Sequence, residues 1–397
     1  MKSKISIIIL VSVSFLYQEG KAAAACKNEW LARSRELMQS VYQHYGEKDT
    51  PLLHEYYPFT QSEQATYLAG SNNNAHRFSY LWPFSGSFSA LVAIYEADYN
   101  RNALKEIDHK AIAGLDCYWD ERRYPAAYAS YLLTNPLPDR FYDDNVWIGL
   151  DFIDLYRATK RKKYLKRALQ VWEFIMSGND SVLGGGIYWC EQKKQSKNTC
   201  SNAPGAVMAL KLYRATKQQP YLEKAVSLYE WTRRNLYDEK ECLYSDNISL
   251  KGRISGAKYS YNTGQMLQAA VLLYEVTGKE TYLSQADTMV KACAARFMSK
   301  KDDGYCLKLD NIWFDAILLR GILEYARFRD ADILLAIYRK SLTDLWEQRD
   351  RAAGLMPERK KGQWWLLAQV AYAEMMARLA KFLKCPNRTA TFFWIEP

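Results

Sequence analysis

The chain has 397 residues, 49% of them hydrophobic and 25% charged, a balance that supports a large packed core and excludes a disordered or low-complexity protein. The formal charge of +10 is spread along helical stretches such as KRKKYLKRAL rather than gathered with aromatics into a nucleic-acid motif, so nucleic acid is not an expected partner. Eight cysteines include no C-x-x-C pair and none has a histidine beside it, which argues against a zinc site; no metal or cofactor is expected, although calcium held by loop carboxylates stays open.

In chain order, Lys2 and Lys4 precede an apolar stretch from Ile5 to Leu16, followed by Ala22–Ala25 and Cys26. This reads as a secretory signal over residues 1–25, with Cys26 either an ordinary mature N-terminus or the attachment point of a lipid. Loss of Lys2, Lys4, Lys21 and Glu19 lowers the charge by two. The expected location is the periplasm or outer surface of a bacterium. No later apolar run is long enough to span a bilayer. Export permits disulfides, and Cys190 and Cys200 are spaced to close a short loop.

An internal repeat then sets the organisation. LYRATKRKKYLKRA begins at Leu155, LYRATKQQPYLEKA at Leu212 and LYEVTGKETYLSQA at Leu273, with fainter copies from Ile94 and Glu324. Each copy ends one helix at Leu-Tyr, turns through Thr-Lys or Thr-Gly, and starts a second near Tyr-Leu. The second helices are amphipathic; in YLKRALQVWEFIM the predicted buried stripe is Leu165, Leu169, Trp172 and Ile175 or Met176. The first helices, such as DDNVWIGLDFIDLY, are apolar nearly all round and so are buried on most sides. Hairpins of one inner and one outer helix, repeated at a period near 60 residues, give about six pairs. Six pairs close into an (α/α)6 barrel, an all-α toroid forming a single domain over residues 26–397. Inner helices are predicted at 86–97, 142–157, 204–215, 262–276, 314–327 and 363–380.

The segments leading into those helices share a chemistry: LWPFSG from Leu81, RFYDDN from Arg140, GGGIYWC from Gly184, CSNAPG from Cys200, KYSYNTGQ from Lys258 and LDNIWF from Leu309. Aromatic faces stack on the C–H face of a sugar, and Asn, Asp and Gln meet its hydroxyls, so their gathering at one mouth suits a carbohydrate groove. Each residue taken singly is equally a helix cap or ordinary packing. The adjacent Asp143 and Asp144 exceed what one cap requires.

The segments YDDNVWIGL, GGIYWC, SNAPGAVMALKLYRAT and YSYNTGQMLQAAVLLYEVTG resemble, in order and spacing, glycoside hydrolase family 76, bacterial and fungal enzymes that cleave α-1,6-mannan. The resemblance implies an (α/α)6 barrel and a retaining endo-mechanism on a polysaccharide or oligosaccharide substrate, α-mannan, carried out by a monomer. Carried onto matching positions, Asp143 is the nucleophile and Asp144 the acid/base. A retaining pair stands roughly 5–5.5 Å apart, and a charged Asp143 raises the pKa of its neighbour as a proton donor needs. Tyr142 and Asn145 are expected to orient the pair, with Trp82, Tyr188 and Trp189 as sugar platforms. Asn202, Tyr261, Asn262 and Gln265 are expected to bind hydroxyls, and Asp310 fills an acidic position before the fifth inner helix. Asp315 departs from the family, which tends to carry a lysine there; a negative charge near the mouth would alter a subsite. Rival readings are a non-catalytic glycan binder and an unsaturated uronyl hydrolase, for which Arg140 is the one nearby carboxylate clamp. A histidine-dependent epimerase is disfavoured, because His44, His54, His76 and His109 all lie in the first third of the chain.

Overall fold

The computed structural model describes residues 28–60, 76–134, 136–302 and 304–382. The predicted signal segment, Cys26 and Cys385 lie outside them. Within the described residues the chain alternates outer and inner helices. Helix α1 covers 28–45 on the outside. The inner helices are α2 (Leu81–Asp98), α5 (Tyr142–Thr159), α7 (Thr199–Thr216), α9 (Ser260–Thr277), α11 (Ile312–Tyr325) and α13 (Leu366–Phe382). Between them on the outside run α3 (Arg101–Glu106), which widens through a π turn at Ile107–Ile112 into α4 (Ala113–Asp116), then α6 (Lys162–Ser177), α8 (Gln219–Leu236), α10 (Glu280–Phe297) and α12 (Asp332–Glu347). Each inner helix packs on the next, and α13 packs on α2, so the ring closes.

The repeat has a local cause. Four inner helices, α2, α5, α7 and α9, end on a left-handed residue, Tyr99, Lys160, Lys217 or Gly278, whose N–H donates to the carbonyl of Tyr95, Tyr156, Tyr213 or Tyr274; α11 ends instead on right-handed Ala326. In three copies the threonine ties the corner: Thr159, Thr216 and Thr277 donate their hydroxyls to the carbonyls of Leu155, Leu212 and Leu273. Their oxygens accept from the N–H groups of Arg161, Gln218 and Lys279 at the start of the outer helix. One side chain thus closes one helix and opens the next.

The inner helices are buried nearly all round, as their composition requires. In α6 the buried stripe is Tyr164, Ala168, Val171, Phe174 and Ile175. The predicted stripe through Leu165, Leu169 and Trp172 is instead half-buried on its flank, with Trp172 edge-on to Tyr221 of α8 at 5.9 Å. Neighbouring outer helices touch, and that second contact surface shifts the apolar arc by one residue.

Helices α2 and α7 begin earlier than predicted. The LWPFSG and CSNAPG segments are first turns and not loops; Pro83 falls in the first turn of α2, where its missing N–H has no intrahelical partner to lose, and Pro204 is accommodated inside α7. Helices α9 and α11 approach closely at two glycines, where a Cβ on Gly264 would lie 2.6 Å from Leu318 Cα and one on Gly321 would lie 2.3 Å from the Gly264 carbonyl oxygen.

The toroid also carries small antiparallel sheets absent from the sequence reading. Ser196–Asn198 pairs with Leu243–Ser249, which pairs with Ile254–Lys258. Met298–Lys301 pairs with Gly304–Leu307. At the seam Tyr56–Tyr57 pairs with Trp364–Trp365, joining the two ends of the ring. Cys190 and Cys200 are both free thiols. The short disulfide that their spacing allows is not formed, and the Cys200 thiol is directed at Asp143.

Candidate active site

A cavity of about 340 Å³ opens at the rim where the inner helices begin, and both Asp143 and Asp144 line it. They are the second and third residues of α5. Neither caps the helix: the N-cap residue is Phe141, in extended backbone, with no side-chain cap bond. Their place in the first turn, facing the positive end of the helix, favours negative charge there.

The loop before α7 lies across this turn. The Tyr142 N–H donates to the Trp189 carbonyl at 2.9 Å, and the Trp189 N–H donates to the Ser196 carbonyl at 3.2 Å. This lets the Trp189 indole Nε1 donate to Asp143 Oδ2 at 3.0 Å. The Cys200 Sγ, on the first turn of α7, donates to the same oxygen at 3.3 Å. The other oxygen, Oδ1, is buried without a hydrogen-bond partner among the described residues.

This arrangement separates the two carboxyls electrostatically. Burial pushes Asp143 up to about 6, held from going higher by hydrogen bonds from Cys200, Trp189 and the backbone N–H groups of Asp144 and Asp143. Asp144 lies well above the ordinary carboxylate range, first because it is buried and then because Asp143 is negative. The two buried carboxyls therefore titrate as an interacting pair, with the charge on Asp143 favouring the protonated form of Asp144.

Aromatic rings form the walls. Trp313 is met edge-on by Trp82 and by Trp147, each at 5.2 Å, and Tyr261 stacks on Phe314 at 4.2 Å. A third carboxylate, Asp246, also lines the cavity, carried on the strand that pairs with Ser196–Asn198. Its oxygens accept from Asn247 Nδ2 at 2.7 Å and Asn262 Nδ2 at 3.3 Å. Burial raises its pKa, and those two amides oppose the rise.

Of the sequence-predicted residues, Asp143, Asp144, Trp82, Trp189 and Tyr261 line the cavity. The others do not reach it. Tyr142 stacks on Phe174 at 4.7 Å, over Gly178, on the far side of α5. Tyr188 donates its hydroxyl to Asp180. The Asn145 amide is spent on the backbone, accepting from the Tyr128 N–H and donating to the Tyr128 and Phe141 carbonyls. Asn202 does the same one repeat later, with Ile187 and Asn198. These asparagines clamp extended segments onto the rim and do not orient the carboxylates or bind a ligand. Asn262 stands behind Asp246, Gln265 is buried and donates to Gln268, and Asp310 is an exposed residue beside a separate small pocket.

Asp315 is also not at the mouth. It is 4% exposed, accepts from the Ser260 hydroxyl, and burial lifts its carboxyl to about 8, so it is neutral at pH 7 and projects no negative field into the cavity. Arg140 is fully buried and bidentate to Glu191 at 2.7 and 2.5 Å, which leaves no guanidinium for a substrate carboxylate.

Sequence reasoning missed Trp147 and Asp246, and it placed Trp313, Phe314 and Cys200 at the mouth only collectively, within the LDNIWF and CSNAPG segments, without naming them as site residues. Trp147 sits in an apolar run that reads as core. Asp246 belongs to LYSDNISL, whose period-two alternation before Gly252 was the available signal for a strand.

Comparison with known proteins agrees with this architecture. A glycoside hydrolase family 76 mannosidase from Bacteroides thetaiotaomicron superposes with a TM-score of 0.79 at 30% identity, covering 89% of this chain and 98% of that one. An inactive variant of a Salegentibacter α-1,6-mannanase with two adjacent Asp→Asn substitutions, in complex with α-1,6-mannotriose, superposes with a TM-score of 0.72 at 23% identity, covering 88% and 99%. A mannan endo-1,6-alpha-mannosidase of Saccharomyces cerevisiae is 28% identical over 123 residues, 29% of this chain. Matches to curated fungal relatives span only part of their lengths, 27% of that protein and 42% and 62% of two Schizosaccharomyces pombe proteins. The family model described as Glycosyl hydrolase family 76 matches residues 47–381, a span that takes in five inner helices whole and nearly all of the sixth, and the chain belongs to that family.

Proposed function

We propose that the protein is an exported endo-acting α-1,6-mannanase that works with retention of anomeric configuration, with residues 1–25 as its signal and Cys26 available for a lipid anchor. The observation that carries the reading is the pair of adjacent buried carboxyls, Asp143 and Asp144, lining one aromatic-walled cavity, with burial and the Asp143 charge both raising the pKa of Asp144. Retaining glycosidases need one carboxylate charged and its partner protonated at the same pH.

In this reading the Asp143 carboxylate attacks the anomeric carbon. Asp144 gives its proton to the departing O6 of the next mannose. A glycosyl ester forms on Asp143; Asp144, now ionised, removes a proton from water, and the resulting attack restores Asp143. Trp189 and Cys200 hold the nucleophile while its negative charge falls and returns. Asp246 accepts hydrogen bonds from sugar hydroxyls, and Trp82, Trp189, Trp147 and Trp313 cover ring faces. The mannosidase neighbour and the mannotriose complex of the Salegentibacter protein support the substrate class. A uronyl hydrolase finds no support, since Arg140 is committed to Glu191.

The test is time-resolved NMR of products from debranched α-1,6-mannan. Retention gives α-anomeric oligosaccharides first, and Asp143→Ala or Asp144→Ala abolishes release while oligosaccharide binding survives. First-formed β anomer, or no release from any α-1,6-mannoside, would reject the proposal.

A further inference from the structure

A second cavity, of about 550 Å³, opens at the opposite end of the toroid, where the inner helices finish. Among the described residues eight basic side chains line it, two each from α5, α7, α11 and α13 or the residues just beyond them. The repeat explains their placement. Arg157 and Arg214 hold the same position in successive LYRAT copies, and the third copy, LYEVT, has Glu275 there.

That single acid is shared. Glu275 pairs with Arg214 at 3.2 Å and with Arg327 at 2.6 Å, and Arg327 has a second acid in Glu324, also at 2.6 Å. Asp154 is taken by Lys211 at 2.6 Å, which leaves Arg157 only a 3.9 Å approach to it. Lys160, among the described residues, has no acidic partner and stands 6.0 Å over the Tyr156 ring. Deeper in, Glu374 holds both Arg320 at 2.6 Å and Arg378 at 2.5 Å. Arg378 Nη2 is buried with no hydrogen-bond acceptor among the described residues. Glu96 is likewise divided between Lys381 at 2.9 Å and Arg378 at 3.8 Å.

Helix C-termini converge at this end, and their dipoles account for basic side chains in the last turns. They do not account for an orphaned guanidinium N–H beside a cavity large enough for a small molecule. Burial first, and then the neighbouring Arg157 and Arg327, disfavour the charge on Arg214, against the favourable fields of Glu275 and Glu324. A tetrahedral oxyanion supplies what is missing: several acceptor oxygens for forked donors and negative charge among excess cations.

We infer that this basal cavity is a binding site for a phosphate-bearing small molecule, a sugar phosphate or free phosphate, held mainly by Arg157, Lys160, Arg214 and Arg378. It is separate from the proposed catalytic cavity and shares no lining residue with it.

The test is isothermal titration calorimetry on the full chain with inorganic phosphate, pyrophosphate and a hexose 6-phosphate, each at low salt and at 150 mM chloride. The expected result is saturable one-to-one binding by at least one probe, weakened at least tenfold in Arg157→Gln/Arg214→Gln. Tightest binding by the hexose ester identifies a sugar phosphate; equal binding by phosphate identifies the free ion. Lys160→Asn changes an exposed residue and is the fallback if the double variant does not fold; it is expected to weaken binding three- to tenfold. Asp143→Asn should bind as wild type. No saturable binding by any probe, binding unchanged in both basic-residue variants, or binding displaced by α-1,6-mannotriose would overturn the assignment.

Discussion

Replacing Trp189 by Phe keeps an aromatic face at the cavity and removes one hydrogen bond, the 3.0 Å donation from Nε1 to Asp143 Oδ2. A hydrogen bond to a charged acceptor is worth about 1.5–3 kcal/mol, and each pKa unit is about 1.36 kcal/mol. The bond favours the ionised form, so its loss raises the Asp143 pKa by roughly one to two units. The starting value is about 6, set by burial against this bond and its companions. The nucleophile must be ionised, so the acid limb of the kcat/KM profile should move upward, from near 6 toward about 7–8. The alkaline limb, set by Asp144, should move little. The assay is initial-rate hydrolysis of a defined α-1,6-mannooligosaccharide between pH 4 and 10. If the plateau falls while the acid limb stays put, the indole serves only as a platform and the assignment of that limb to Asp143 is wrong.

Further outcomes follow from the same geometry. Cys200→Ala removes the 3.3 Å thiol donation and should shift the limb in the same direction by less, because sulfur is the weaker donor. Asp315 has a carboxyl raised from 3.8 to about 8 and is 4% exposed, so the unfolded chain ionises first and wild-type stability falls as pH rises between those values. Asp315→Asn should remove that slope; the melting-temperature gap over wild type should widen from pH 5 to pH 8 and then level off, and a gap flat across that range would refute the assignment. Gly264→Ala places a Cβ 2.6 Å from Leu318 Cα, and by forcing α9 from α11 should cost about 1–3 kcal/mol in urea unfolding.

The toroid was legible because the repeat encodes its own corners: a left-handed residue, a threonine bridging two helices, and inner helices with no polar face. The carboxylate pair was legible because two adjacent aspartates exceed what a cap needs. The asparagines misled for a physical reason. An amide offers one donor and one acceptor edge, which matches a backbone N–H and C=O pair as well as it matches a sugar, and Asn145 and Asn202 lie where extended backbone crosses the rim. Conversely Trp147 reads as core because it is flanked by Val146 and Ile148, and only the ring geometry exposes it to the cavity. Asp246 arrives through strand pairing between Asn198 and Asn247, a contact between distant segments that no local pattern reports.

Closure of α13 onto α2, with Tyr56–Tyr57 paired to Trp364–Trp365, has a bearing on biosynthesis. Trp82, near the start of the ring, leans on Trp365, near its end. A partly synthesised chain holds both aspartates on α5 yet has no finished wall to set opposite them, so catalytic competence must arrive late and all at once, only after the final helix has joined the first.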